Sequence, residues 1–240
     1  LIAYILFALC LPVQAWAAVS FTSDIEGKVE TGVPTTLTLA SVPGTTGDLI
    51  IAFFSWRKSA TQVMTGATYG GAAMTQICTE QALGGGALAA WYYTGATGTQ
   101  DVVGTWDAAP SSMQGSASVI AGADISGTPL GTAVCNTGSG TMSFTNATTI
   151  PANGLAIDGA MVRGGVTGFT VTDAEQTRRA TQVTSGVIDF GVSTEEPAGD
   201  DTLGWSWTGF NASRAHILVP INPAAAGGAE TFGFRLRLVQ

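Results

Sequence analysis

The chain has 240 residues, 45% of them apolar and only 11% charged, less than half the charged share of roughly 25% in ordinary soluble domains. Lys and Arg total 9 against 17 Asp and Glu, a net charge of −8. That balance excludes a nucleic-acid binder, which needs a basic face to displace counterions from phosphates, and the apolar content excludes a disordered chain.

In chain order, Leu1 to Val13 form an apolar run followed by Gln14 and Ala15-Trp16-Ala17. Small residues at the first and third positions of that triplet fit a signal-peptidase site, so residues 1–17 are expected to be a signal peptide cut after Ala17. A buried N-terminal helix is the alternative. The run is shorter than the roughly 20 residues a bilayer span requires, so no transmembrane segment is expected. No Met or basic residue precedes the run, so the chain is expected to begin further upstream. The expected location is secreted or at the cell surface. Removing Cys10 leaves Cys78 and Cys135. In an exported protein such a pair reads as a disulfide; two separate buried thiols are the other reading.

From residue 18 onward no helical spacing is sustained. Short apolar stretches alternate with Gly, Thr, Ser, Asn and Pro clusters, the pattern of strands joined by turns. Strands are expected near 35–41, 48–57, 66–70, 73–78, 86–94, 100–106 and 115–122, and again near 141–147, 154–163, 168–173, 180–192, 202–208 and 213–221. The two series resemble each other as pseudo-repeats over about 31–128 and 140–223. Residues 34–57 lie over 140–163 without a gap, pairing Leu49 with Leu155 and Arg57 with Arg163, and 86–106 over 186–207 pairs Gly86 with Gly186 and Trp106 with Trp207. The predicted fold is all-β, an antiparallel double-sheet sandwich of jelly-roll type built from two similar halves across residues 18–223. Two tandem Ig-like sandwiches are the alternative. Residues 224–240 add a flexible spacer and ETFGFRLRLVQ, whose period-two alternation describes a further strand. That strand could complete its own sheet edge, begin a following domain, or add to a neighbouring copy.

The runs GDLIIAFFSWR, YGGAAMTQI, LAAWYYTGATGTQDVVGTWDAA and SASVIAGADISGTPLG, followed by NGLAIDGAMV, DDTLGWSWTG and AHILVPINPA, resemble a recurring β-rich module of exported bacterial and phage-associated surface proteins. The resemblance covers about residues 20 to 223. It implies an adhesion or structural module without assigned chemistry, and it carries no functional residues.

Nucleophile motifs are missing: there is no G-x-S-x-G, H-E-x-x-H or C-x-x-C. The single histidine, His216, lies three residues from Ser213, a spacing that puts the two on opposite faces of a strand. GGGALA precedes a predicted strand, so it reads as a turn and not as a dinucleotide loop. Asp158 and Asp189 each lie well inside a predicted strand and are the candidates for a glycosidase pair. Glu195, Glu196, Asp200 and Asp201 cluster in one acidic loop, a candidate calcium site or a solvated turn. Trp91, Tyr93 and Trp205 are candidate ligand contacts, since exposed aromatic faces stack on sugar rings; Trp106 and Trp207 read as core pillars, one in each half. No catalytic residue and no cofactor other than calcium is expected. The leading functional expectation is a secreted, non-catalytic adhesion or assembly module whose partners are glycans or other copies of itself. A lectin-like carbohydrate-binding domain, a glycoside hydrolase and a filament subunit joined through the C-terminal strand are the alternatives.

Overall fold

The computed structural model describes residues 18–29, 33–58, 62–164, 166–184, 188–196, 201–209 and 212–225. The expected signal peptide, Asp200 and the alternating C-terminal segment lie outside the described residues. Every described element is a strand, and all pairings are antiparallel.

A first unit contains β1 (Ser20–Val29), β2 (Thr36–Pro43), β3 (Leu49–Arg57), β4 (Met64–Tyr69), β5 (Ala72–Ala73), β6 (Thr75–Gln76), β7 (Gln81–Leu83), β8 (Gly86–Tyr93), β9 (Thr99–Trp106) and β10 (Met113–Ala121). One sheet runs β1-β10-β3-β8-β6 with β7 also on β8, and the facing sheet runs β2-β9-β4-β5. A second unit contains β11 (Val134–Thr141), β12 (Ser143–Ala147), β13 (Leu155–Arg163), β14 (Thr167–Val171), β15 (Thr177–Thr184), β16 (Ile188–Glu195), β17 (Thr202–Thr208) and β18 (Ala212–Ile221). Its sheets run β11-β18-β13-β16-β15 and β12-β17-β14. In both units the first strand pairs with the last, the last with the third, and the second with the penultimate. That order is the jelly roll.

Each half closes its own pair of sheets, so the strands of the two halves do not interleave into one larger double sheet. The β1 and β11 sheets pack on each other instead, giving four layers: outer, inner, inner, outer. Alternation along β3 shows how one strand serves two cores. Ile50, Ala52, Phe54 and Trp56 face the first unit's outer sheet, against Leu37, Leu39, Val102 and Trp106. Leu49, Ile51 and Phe53 face the second unit, against Leu155, Ile157, Met161 and Phe190. Consequently β3 is buried from Leu49 to Trp56, and β13 from Leu155 to Val162. Two inner sheets covered on both faces have no solvent side to carry charge, which accounts for the low charged content.

The two inner sheets meet in a shared core where Phe53 of β3 reaches Gly159 of β13. Phe53 and Gly159 occupy equivalent positions, and the Phe53 ring fills the place that a Cβ on Gly159 would take. A large residue meeting a small one at this contact is the close-packed solution; two phenyl rings would collide and two glycines would leave a void. The outward cores exchange volume in the same way. Phe54 stands over Gly104 and Gly115 in the first unit, whereas Ala160 and Gly191 make room for Trp205 in the second.

Three local expectations are corrected. The polar edge strand β11 occupies the C-terminal part of the segment that reads as a connection between the halves, and β1 precedes the first expected strand. Both lack strong alternation because they lie at inner-sheet edges. The stretch 180–192 is divided between β15 and β16, which pair with each other. The GGGALA glycines form the β7–β8 turn, with Gly84 and Gly85 at φ of 62° and 84°, the left-handed pair that a tight hairpin requires. That turn presses on the second unit, where the Arg163 guanidinium donates to the Gly84 carbonyl and Ser213 occupies the space a Gly84 Cβ would need.

Candidate functional site

The expected aromatic platform is not presented to solvent. Trp205 is fully buried in the second unit and stacks on Phe169 at 4.6 Å between ring centroids. Trp91 lies in the first unit's core, facing the outer sheet. These two side chains are core residues of separate sandwiches: Trp91 points outward from inner strand β8, and Trp205 points inward from β17 of the outer sheet. Trp106 and Trp207 are also buried, and their backbone N–H groups make matching bonds to the Thr35 and Met142 carbonyls at 2.8 and 3.0 Å.

The acidic loop does not converge on a cation site among the described residues. Glu195 is buried and its neighbour Glu196 is exposed, as successive strand residues point to opposite faces. Asp201 accepts the Ile150 N–H at 3.3 Å, and its carbonyl accepts that of Thr148 at 3.0 Å, so it ties down the loop after β12. Among the described residues, no group of three or more metal-ligating side chains comes together.

The strand acids do not form a glycosidase pair. Asp158 lies opposite Ser193, and Asp189 opposite Val162. Four residues of strand separate the two rows, roughly 13 Å at the usual rise, beyond the roughly 5–9.5 Å such pairs use. Asp189 accepts the Val166 N–H at 3.0 Å, and burial pushes its carboxyl up to about 6 against that bond.

The Asp158 carboxylate does gather a network that spacing in the sequence conceals. Its Oδ1 accepts the Ser193 hydroxyl and the Ser193 N–H, the latter at 3.1 Å. Its Oδ2 accepts Trp205 Nε1–H at 2.8 Å and lies 2.6 Å from His216 Nε2. The Asn146 amide meets His216 Nδ1, so a ring protonated at Nε2 satisfies both neighbours, and Asn136 donates to Asn146 at 2.6 Å. Gln176 donates to Ser193 Oγ and accepts the Gly204 N–H at 3.1 Å. Asp158, Ser193 and His216 are wholly buried. Here the carboxylate stands between serine and histidine, whereas a hydrolytic triad needs histidine between the other two. Ser213 faces the first unit against Gly84, away from His216.

Cys78, just after β6, is bonded to Cys135 on β11, with Cα atoms 6.8 Å apart. The bridge therefore joins the two units. Beside the inter-unit connection a cleft of about 290 Å³ opens, lined by Thr75, Tyr92, Tyr93, Thr94, Ile125 and Pro129. Tyr92 and Tyr93 are both half-buried, and Tyr93 is tilted against Tyr69 at 5.4 Å. Asp124 holds the opposite wall by accepting the Ser126 hydroxyl at 3.0 Å and the Gly127 N–H at 3.1 Å. Phenol rings and threonine hydroxyls around an open slot suit a neutral polyhydroxylated ligand, with an apolar ring face on tyrosine and hydroxyls on threonine. Of the three aromatics expected to bind, Tyr93 alone borders a surface opening; Tyr92 was missed because two adjacent strand residues cannot share a face, and the cleft forms only where β8 meets the inter-unit connection.

Fold and site together define a tandem jelly-roll protein, two sandwiches stacked through their inner sheets and bridged by one disulfide. No family model matches the chain, and no curated protein matches it in sequence. Among the described residues, no helix is long and apolar enough to cross a membrane.

Proposed function

We propose that the protein is a non-catalytic surface module of adhesion or assembly type, exported from the cell, that engages glycans through the Tyr92–Tyr93 cleft. The observation that carries this reading is the lining of that cleft: two half-buried tyrosines and two threonines around one opening. The inter-unit disulfide supports an oxidising location, in keeping with the resemblance to exported bacterial and phage-associated modules. Two units locked into four layers provide a rigid base for such a cleft, as surface attachment requires.

A glycan array probed with the purified chain tests the reading, followed by calorimetry on any hit. Tyr93→Ala should lower affinity by at least tenfold while leaving the thermal midpoint within a few degrees, because the ring is only half-buried. No binding across a broad panel, or affinity unchanged in Tyr93→Ala, would count against it.

A further inference from the structure

The Asp158 network holds the parts of an acyl transfer, and we propose that Ser193 and Gln176 become joined through a side-chain ester. The Ser193 hydroxyl is wholly buried and donates to Asp158, the base. The Gln176 carboxamide, 5% exposed, is the electrophile; its nitrogen touches Ser193 Oγ and its oxygen is held by the Gly204 N–H at 3.1 Å. That N–H is placed to stabilise the negative charge that grows on the carbonyl oxygen. His216 and Trp205 donate to the other carboxylate oxygen and fix its orientation. Bulk water is excluded, so the internal nucleophile has no competitor, and the Gln176–Ser193 hydrogen bond holds the two side chains together in the core.

In the step, the Oγ–Cδ bond forms and the Cδ–Nε2 bond breaks. The serine proton passes to Asp158 and on to the departing nitrogen, which leaves as ammonia, and the carboxylate is regenerated. No oxidant, reductant or co-reactant enters.

The first unit supplies an internal comparison. By strand register, Ala52 stands where the second unit has Asp158, Trp91 where it has Ser193, and Gly115 where it has His216. The same jelly roll thus closes with an apolar set, so folding alone does not demand the polar one. The ester would span a sequence separation of 17 and clamp the β15–β16 hairpin, whose Arg179 stacks on Phe21 of the first unit at 4.2 Å. This inference is independent of the glycan cleft.

Mass spectrometry of the folded, disulfide-reduced full chain tests it. The expected mass is lower by one ammonia than the sequence requires. Tryptic peptides 164–178 and 180–214, which carry Gln176 and Ser193, should be recovered as one linked species that hydroxylamine separates. Loss of ammonia at Asn153-Gly154, a succinimide site, would fall on a different peptide and leave these two unlinked. Asp158→Asn should restore the full mass and the separate peptides. Should that variant fail to fold, the wild-type peptide map still decides: recovery of 164–178 and 180–214 as separate, full-mass peptides would overturn the proposal.

Discussion

Asp24 on β1 accepts hydrogen bonds from Ser116 Oγ at 2.6 Å and Ser118 Oγ at 2.8 Å, yet its carboxyl is pushed up to about 6. Burial between the inner sheets is the main cause; the two serines oppose it, Glu26 adds to it, and Arg179 counters it from β15. Asp189 is raised to about 6 by burial as well. A carboxyl whose pKa is higher folded than unfolded holds its proton longer in the native state. Its contribution to stability is therefore full below the unfolded value near 3.8 and is lost as pH rises through about 6. Urea unfolding should give a higher midpoint at pH 5 than at pH 7.5, with each group contributing about 1 kcal/mol after allowance for partial exposure. Asp24→Asn should remove about half of that difference. An unchanged pH profile in Asp24→Asn would show that the residue does not sense the inter-sheet environment as argued.

At the scale of elements, β3 and β13 meet through Phe53 and Gly159. Phe53→Ala should cost about 3–5 kcal/mol, since the cavity it opens faces a strand with no side chain to fill it. Because the two positions are aligned and in contact, the exchange Phe53→Gly with Gly159→Phe should recover more than half of that loss in chemical denaturation; a double variant as unstable as the sum of its parts would contradict this large-on-small packing. Much at this scale was legible in the sequence. The ungapped pairing of Leu49 with Leu155 and Arg57 with Arg163 matches two strands of the same length and role. The pairing of Gly86 with Gly186 is displaced by two residues, since Arg57 faces Gly86 while Arg163 faces Ile188; a shared glycine is a poorer guide to register than the strand pairing. The polar network was not legible. Asp158 meets Ser193 and His216 across separations of 35 and 58 residues, and spacing along one strand carries no information about which strands will be neighbours.

For the whole molecule, the question is whether four layers behave as one folding unit. The inner sheets share a core that takes Leu49, Ile51 and Phe53 from one unit and Leu155, Met161 and Ile217 from the other, and Cys78 and Cys135 pack at its margin. The bridge closes a separation of 57 residues, which in the chain-entropy model contributes about 4 kcal/mol through the unfolded state. The shared core exists without the bridge, so removing it should lower stability without uncoupling the units. Calorimetry with Cys78→Ser and Cys135→Ser together should show one transition whose midpoint falls by on the order of 10 °C, given roughly 2–4 °C per kcal/mol for chains of this size. Two resolved transitions in that variant would mean that the apolar interface alone does not couple the sandwiches, and that the disulfide is what makes them one cooperative body.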